Sequence, residues 1–275
     1  MQGTLYIVAT PIGNLEDITL RAIRILKEVD YIAAEDTRHT IKLLNHLEIS
    51  KPLISYHRHN EEVKKEDLIS KLIKGKNIAL VSDAGTPVIS DPGEEIVKDA
   101  IKNNIKIVPV PGACALINAL IISGIDAKEF SFYGFLPLNK KNRQEKIDDI
   151  QKETKTSIIY EAPHKLISTL EDLDKNIGKR KVTVVKELTK IHESYITGTP
   201  KELIEKIREP KGEYVIIIEK NIINQQQEQV NVLNSLNMQE HYNYYEKKGM
   251  DKKQIIKQIA KDREVSKNEI YKYFI

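Results

Sequence analysis

Several short stretches crowd reactive side chains more densely than a chain connection requires. "AAEDTRHT" sets Glu35, Asp36, Arg38 and His39 within five positions. Carboxylates so placed can move a proton, and the adjacent cations can hold an anion. A cap explains part of this, since Asp36 or Thr37 can satisfy the first amides of a following helix. It does not explain the rest. "SYHRHNE" carries His57, Arg58 and His59. A metal needs a further ligand, and no Cys/His set at metal spacing supplies one. Arg58 is better read as a contact to an anionic ligand from a loop near a cleft. "YEAPHKL" (Tyr160 to Leu166) and "KELTKIHES" (Lys186 to Ser194) hold more polar groups than a turn or a hairpin needs.

"VSDAGTPVISDPGEE", Val81 to Glu95, divides in two. Asp91-Pro92-Gly93-Glu94 resembles a capping box with Pro at the first helical position. "SDAGTP" is then surplus. Gly85 lets a ligand approach the backbone, with Asp83 and Thr86 available to its polar groups. "VATPIGNLEDITL" contains the turn formers Pro11, Gly13 and Asn14. It is no G-x-G-x-x-G, and alone it reads as an ordinary turn.

These stretches need elements to hold them. Strand-like runs ("TLYIVA", "DYIAAE", "NIALVS", "IKIVPV") alternate with helical periodicity through the first 120 residues. Near-continuous apolar strands in such alternation predict a mostly parallel sheet covered on both faces. Ligands of open α/β sheets bind beyond the strands' carboxyl ends, where the crowded stretches fall. The strands "FSFYGFL", "TSIIYEA", "KVTVVKEL", "HESYITG" and "EYVIIIE" predict a second α/β domain with antiparallel pairing near its end. The expected division is 1–118, 119–220, a polar linker at 221–231, and a helix-turn-helix-like domain at 232–275. Its helices are "VLNSLNMQEHYNYYEKKG", "DKKQIIKQIAKDRE" and "SKNEIYKYF", with Asp251 and Ser266 as N-caps.

Bulk properties set limits. The 275 residues are 40% hydrophobic and 30% charged, which fits a packed core and not global disorder. The net charge of +3 alone implies no nucleic-acid partner, but residues 247–275 hold nine Lys/Arg against four acids, a net of +5. Cys114 has no partner for an intrachain disulfide, so a reducing compartment is expected. The N-terminus lacks a basic signal region, and the run "ACALINALII" is about half the ~20 residues of a membrane span. A soluble cytoplasmic protein is expected.

The ordered set "LYIVATPIGNLEDITLRA", "AAEDTRHT", "LVSDAGTPVISDPG", "PVPGA", "GFLP", "YEAPHKL" and "ELTK" resembles the tetrapyrrole methylase superfamily, in the branch that methylates small-subunit ribosomal RNA. The likeness spans about residues 3–220. It implies two α/β domains with S-adenosylmethionine in the cleft between them, a homodimer, and 2′-O-methylation of a cytidine in the decoding region, in naked RNA or the assembled subunit. It implies cofactor contacts from Pro11, Ile12, Gly13 and Asn14. It implies others from Asp83, Gly85, Thr86, Pro87, Val88 and Ile89. Further contacts fall on Ala113, Cys114 and Ala115, and on Tyr160, Glu161 and Ala162. The chain departs from the pattern where Pro-Gly-Pro-Ser-Ala becomes Pro111-Gly112-Ala113-Cys114-Ala115, which removes a hydroxyl. Lys186 replaces the usual Arg, keeping charge but losing the bidentate fork.

Methyl transfer to a ribose oxygen gains most from alignment. A base for the weakly acidic hydroxyl adds ~10²–10⁴-fold, and Glu35, Asp36, Lys186, Glu187 and Lys190 are the candidates. Arg38, His39, Arg58, His164 and Lys165 are candidate RNA contacts, with the basic tail as a second RNA surface. The competing readings are a tetrapyrrole methyltransferase, which needs a broad apolar cleft, and a DNA-binding regulator using the C-terminal helices.

Overall fold

The computed structural model describes residues 1–222, 230 and 232–274, so most of the expected linker at 221–231 lies outside the described residues. The first sheet comprises β1 (Thr4–Val8), β2 (Tyr31–Ala34), β3 (Leu53–Ser55), β4 (Ile78–Val81) and β5 (Lys106–Val110). Its order is β3-β2-β4-β1-β5, and every pairing is parallel. Alternate residues of each strand serve opposite faces. Ile32, Ala34, Ala79 and Val81 pack beneath α1 (Leu20–Glu28) and α2 (Thr37–His46). Ala33, Ile78 and Leu80 pack against α3 (Glu61–Ile73) and α4 (Glu94–Lys102). Both faces are therefore covered, as the apolar runs require. The edge strand β3 was not expected. It has three residues, none fully buried, and follows Pro52, so it carries little hydrophobic signal.

Helix α5 (Ala115–Ile122) runs across residue 118. Its Leu116, Ala119 and Leu120 pack on Ile158, Val185, Val215 and Ile217 of the second sheet. That sheet has β6 (Phe130–Phe135), β7 (Thr156–Glu161), β8 (Val182–Lys186), β9 (Ser194–Gly198) and β10 (Tyr214–Ile218). The order is β6-β7-β10-β8-β9, with β6 and β7 parallel and the other pairs antiparallel. Its other face is covered by α6 (Lys140–Lys152), α7 (Leu166–Ile177) and α8 (Pro200–Lys206). The antiparallel expectation holds. It also matters for the site, because β10 begins where β7 and β8 end: Tyr214 pairs with both Glu161 and Lys186.

The C-terminal helices α9 (Met238–Lys247), α10 (Lys252–Asp262) and α11 (Lys267–Tyr271) enclose a core of their own around Ile255, Ile259 and Ile270. Asp251 and Ser266 cap α10 and α11 through reciprocal capping boxes. The single helix expected from residue 232 is instead broken at Leu236. Asn237 opens a third capping box with Glu240, and an N-cap needs extended backbone. Among the described residues no helix is long and apolar enough to cross a membrane.

Candidate active site

All five strands of the first sheet are parallel, so the loops after β1, β2, β4 and β5 emerge on one edge. Two of them are stitched together. Thr10 and Gly85 exchange backbone hydrogen bonds of 2.9 and 3.1 Å. The Thr86 hydroxyl donates to the Ala113 carbonyl at 3.1 Å, which spends its proton on joining the β4 and β5 loops. Asp83 is used differently. Its carboxylate accepts the Asp36 amide at 3.0 Å and so fixes the end of β2.

Between these loops and the second sheet lies a cavity of about 460 Å³. Of the cofactor contacts expected from the resemblance, Ile12, Asp83, Gly85, Thr86, Ile89, Cys114, Ala115, Tyr160, Glu161 and Ala162 line it. Pro11, Pro87, Val88 and Ala113 are not part of the lining. Gly13 and Asn14 open instead on a separate groove shared with Thr189, Lys190, Ile191 and His192. Of the expected bases, Glu35 and Glu187 line the cavity, whereas Asp36, Lys186 and Lys190 do not. Asp36 caps α2 and forms a surface ion pair with Arg38 at 2.7 Å, which holds its carboxyl down at about 2.

The lining carries six carboxylates, from Glu35, Asp83, Asp91, Glu161, Glu187 and Glu213, and no Lys, Arg or His among the described residues. Burial raises Glu35, and neighbouring Asp83 raises it further. Asp91 is pushed up to about 6 by burial and then by Glu35, against a hydrogen bond from Ser82 and the charge of Arg58. Glu187 goes the other way. Burial opposes its ionisation, but Lys190 and the Glu213 amide outweigh it and hold the carboxyl low. Glu161 is 3% exposed and accepts from Thr169 Oγ1 at 2.5 Å and from the Ala162 amide at 2.9 Å. The Tyr160 hydroxyl accepts the Leu116 amide at 3.2 Å, docking α5 to β7.

Asp91 corrects the sequence reading. It does not open a capping box. The N-cap of α4 is Gly93, at φ 134° and with no side-chain cap, so Pro92 precedes the helix. Nearby, Val88 and Ser90 have φ of 75° and 67°. A β-branched residue at such a φ is a strained outlier. This backbone path turns the Asp91 carboxyl into the cavity. Sequence reasoning also missed Phe135, Pro163, Val185, Leu188, Glu213, Tyr214 and Val215. The last three were within reach, because antiparallel β10 had to start beside the end of β8.

The expected RNA contacts lie outside the cavity. Arg38, His39, Arg58 and His164 are exposed and Lys165 is half-buried. Arg58 also donates to the Ser90 carbonyl, holding the Asp91 loop from outside. Among the described residues no cluster of His, Cys, Asp or Glu is arranged to hold a metal.

Residues 4–204 match the family model described as Tetrapyrrole (Corrin/Porphyrin) Methylases. The chain is 49% identical over 275 residues to a Halalkalibacterium halodurans protein named "Ribosomal RNA small subunit methyltransferase I", covering 99% of this chain and 95% of that protein. It is 48% identical over 271 residues to a Bacillus subtilis protein of the same name, covering 98% and 93%. Among solved structures, a diphthine synthase superposes with TM-score 0.60 at 14% identity, covering 82% of this chain and 94% of that one. A uroporphyrin-III C-methyltransferase from Thermus thermophilus, complexed with S-adenyl homocysteine, superposes with TM-score 0.56 at 18% identity, covering 79% and 97%.

Proposed function

The chain belongs to the tetrapyrrole methylase family and is an S-adenosylmethionine-dependent methyltransferase; from that premise we propose that it methylates the 2′-oxygen of a cytidine ribose in small-subunit ribosomal RNA. The observation that carries the reading is a cavity lined by six carboxylates and, among the described residues, no basic side chain, with exposed cations outside it. When bound, S-adenosylmethionine supplies a methyl group on positively charged sulfur. A cavity with six carboxylates and no basic side chain fits a cationic donor. It repels phosphate, and it equally disfavours a polycarboxylate tetrapyrrole.

Arg38 and His39 follow Glu35 of the lining in the chain, Arg58 donates to the carbonyl of the lining residue Ser90, and His164 and Lys165 follow Pro163 of the lining. They suit the RNA backbone, leaving the ribose hydroxyl to reach inward. Glu35 and Asp91 both line the cavity with raised proton affinity, the property a base near neutral pH needs. Glu35 is thus favoured over Asp36, whose proton affinity is too low, and over Lys190, whose ammonium is kept charged by two carboxylates despite burial. Exposed lysines of the C-terminal domain, among them Lys252, Lys253, Lys257 and Lys261, extend the RNA surface. The division into a cofactor-loop domain, a second α/β domain and a helical RNA-binding domain belongs to the same reading. So does a cytoplasmic homodimer. Ile117 and Ile121, exposed on the outer face of α5, support the dimer.

The test uses methyl-labelled donor with small ribosomal subunits lacking the modification, naked small-subunit RNA, and a tetrapyrrole precursor. Label on a cytidine 2′-oxygen of the ribosomal RNA is expected. Label only on the tetrapyrrole, or on an RNA base, would overturn the assignment.

A further inference from the structure

The turn between β8 and β9 contains two of the candidate bases, Glu187 and Lys190. The structure joins them. Lys190 Nζ lies 2.9 Å from Glu187 Oε1 and 2.7 Å from Glu213 Oε2. The same Glu187 oxygen accepts the Glu213 amide at 2.9 Å. Glu187 and Glu213 line the cavity, while Lys190 lies behind them in the groove beside Gly13.

Both flanks of this device need glycine. A Cβ on Gly13 would meet Lys190 Cγ at 2.4 Å, and a Cβ on Gly212 would meet Glu187 Cδ at 2.4 Å. The turn itself bends through positive φ at Glu187 (52°) and Thr189 (66°). One ammonium between two carboxylates leaves the group one net negative charge on the cavity side.

We propose that Lys190 is a positioning residue: it fixes the Glu187 carboxylate against the cavity wall as a permanent negative charge for the cationic sulfur of the methyl donor. This rests on the donor reading above. Without Lys190, Glu187 and Glu213 repel each other, and the Glu187 carboxylate keeps only the Glu213 amide as a hydrogen-bond donor among the described residues, with the charge of Lys186 nearby.

Field and position predict opposite outcomes. Removing a cation from an acidic wall should, by field alone, tighten a cationic ligand. Loss of position should weaken it. The affinity of the full chain for S-adenosylmethionine, and for S-adenosylhomocysteine with its neutral sulfur, is measured by calorimetry. K190M and E187Q are each expected to weaken S-adenosylmethionine about tenfold, as for loss of a charged hydrogen bond, and the neutral product less. The double variant should lose no more than either single one, since the two residues act as a unit. K190R should retain binding. G13A, which displaces the Lys190 stem, should fall with K190M. Unchanged or tighter binding by K190M, or equal losses for both ligands, overturns the positioning role. Failure of the wild-type chain to bind S-adenosylmethionine overturns the donor reading itself.

Discussion

At the scale of single residues, Asp91 is the informative case. Its carboxyl titrates at about 6 in the folded chain against 3.8 for the free group. Below 3.8 it is protonated in both folded and unfolded states, and no penalty exists. As pH rises from 3.8 to about 6 the unfolded chain ionises first, so folding stability falls, and the whole cost is present above that range. D91N removes that cost. After allowance for solvent screening, D91N is expected to be more stable than wild type by about 1 kcal/mol at about pH 8 and equal to it near pH 3.5, as urea unfolding at the two pH values will show. Methyl transfer behaves oppositely. The wild-type single-turnover rate should rise with pH to a plateau above about 6, where Asp91 ionises. D91N should lower that plateau by ~10²-fold if the pair serves as base. Of the groups facing the pair, Asp83 opposes ionisation, while Arg58 and His57 favour it.

At the scale of elements, the β4–α4 connection separates two readings of one motif. If Asp91 capped α4, its loss would weaken the helix, and Gly93 would be replaceable. The structure assigns the cap to Gly93. A Cβ there would lie 2.7 Å from Leu80 Cδ2 and 2.9 Å from Val88 Cγ2, at φ 134°. G93A is therefore expected to destabilise the chain by about 2–4 kcal/mol, whereas D91N leaves α4 intact. Thermal unfolding of the two variants side by side checks this. A mild G93A would restore the capping box. The element pattern itself was legible. Strands such as "NIALVS" are apolar along their central run, and only a sheet buried on both faces tolerates that. The short β3 was not legible, because three half-buried residues carry no periodicity.

At the scale of the whole molecule, charge is sorted by place. The cavity is lined by carboxylates, exposed cations such as Arg38, Arg58 and His164 lie outside it, and the C-terminal domain projects lysines into solvent. Changing Lys252, Lys253, Lys257 and Lys261 together to Gln leaves that domain's core untouched, since all four are exposed. If they meet phosphate, the slope of log affinity for small-subunit RNA against log salt should flatten by about 0.7 to 0.9 for each phosphate no longer neutralised. Filter binding across a salt series measures it, and an unchanged slope removes this surface from the RNA interface.

Sequence by itself determined the strand-end stretches and the order of most α/β elements, which depend on local spacing and apolar runs; the cavity lining it named came from the resemblance to a known family. Tertiary structure alone decided what the groups do there. It turned Asp91 from a cap into a cavity carboxyl and brought Glu213 beside Glu187 across an antiparallel pair. It also placed Lys190 behind the wall and not in it. The reason is physical. A residue type fixes what a side chain can exchange, but its proton affinity and its direction come from neighbours distant in the chain, and burial among them is a property of the assembled fold.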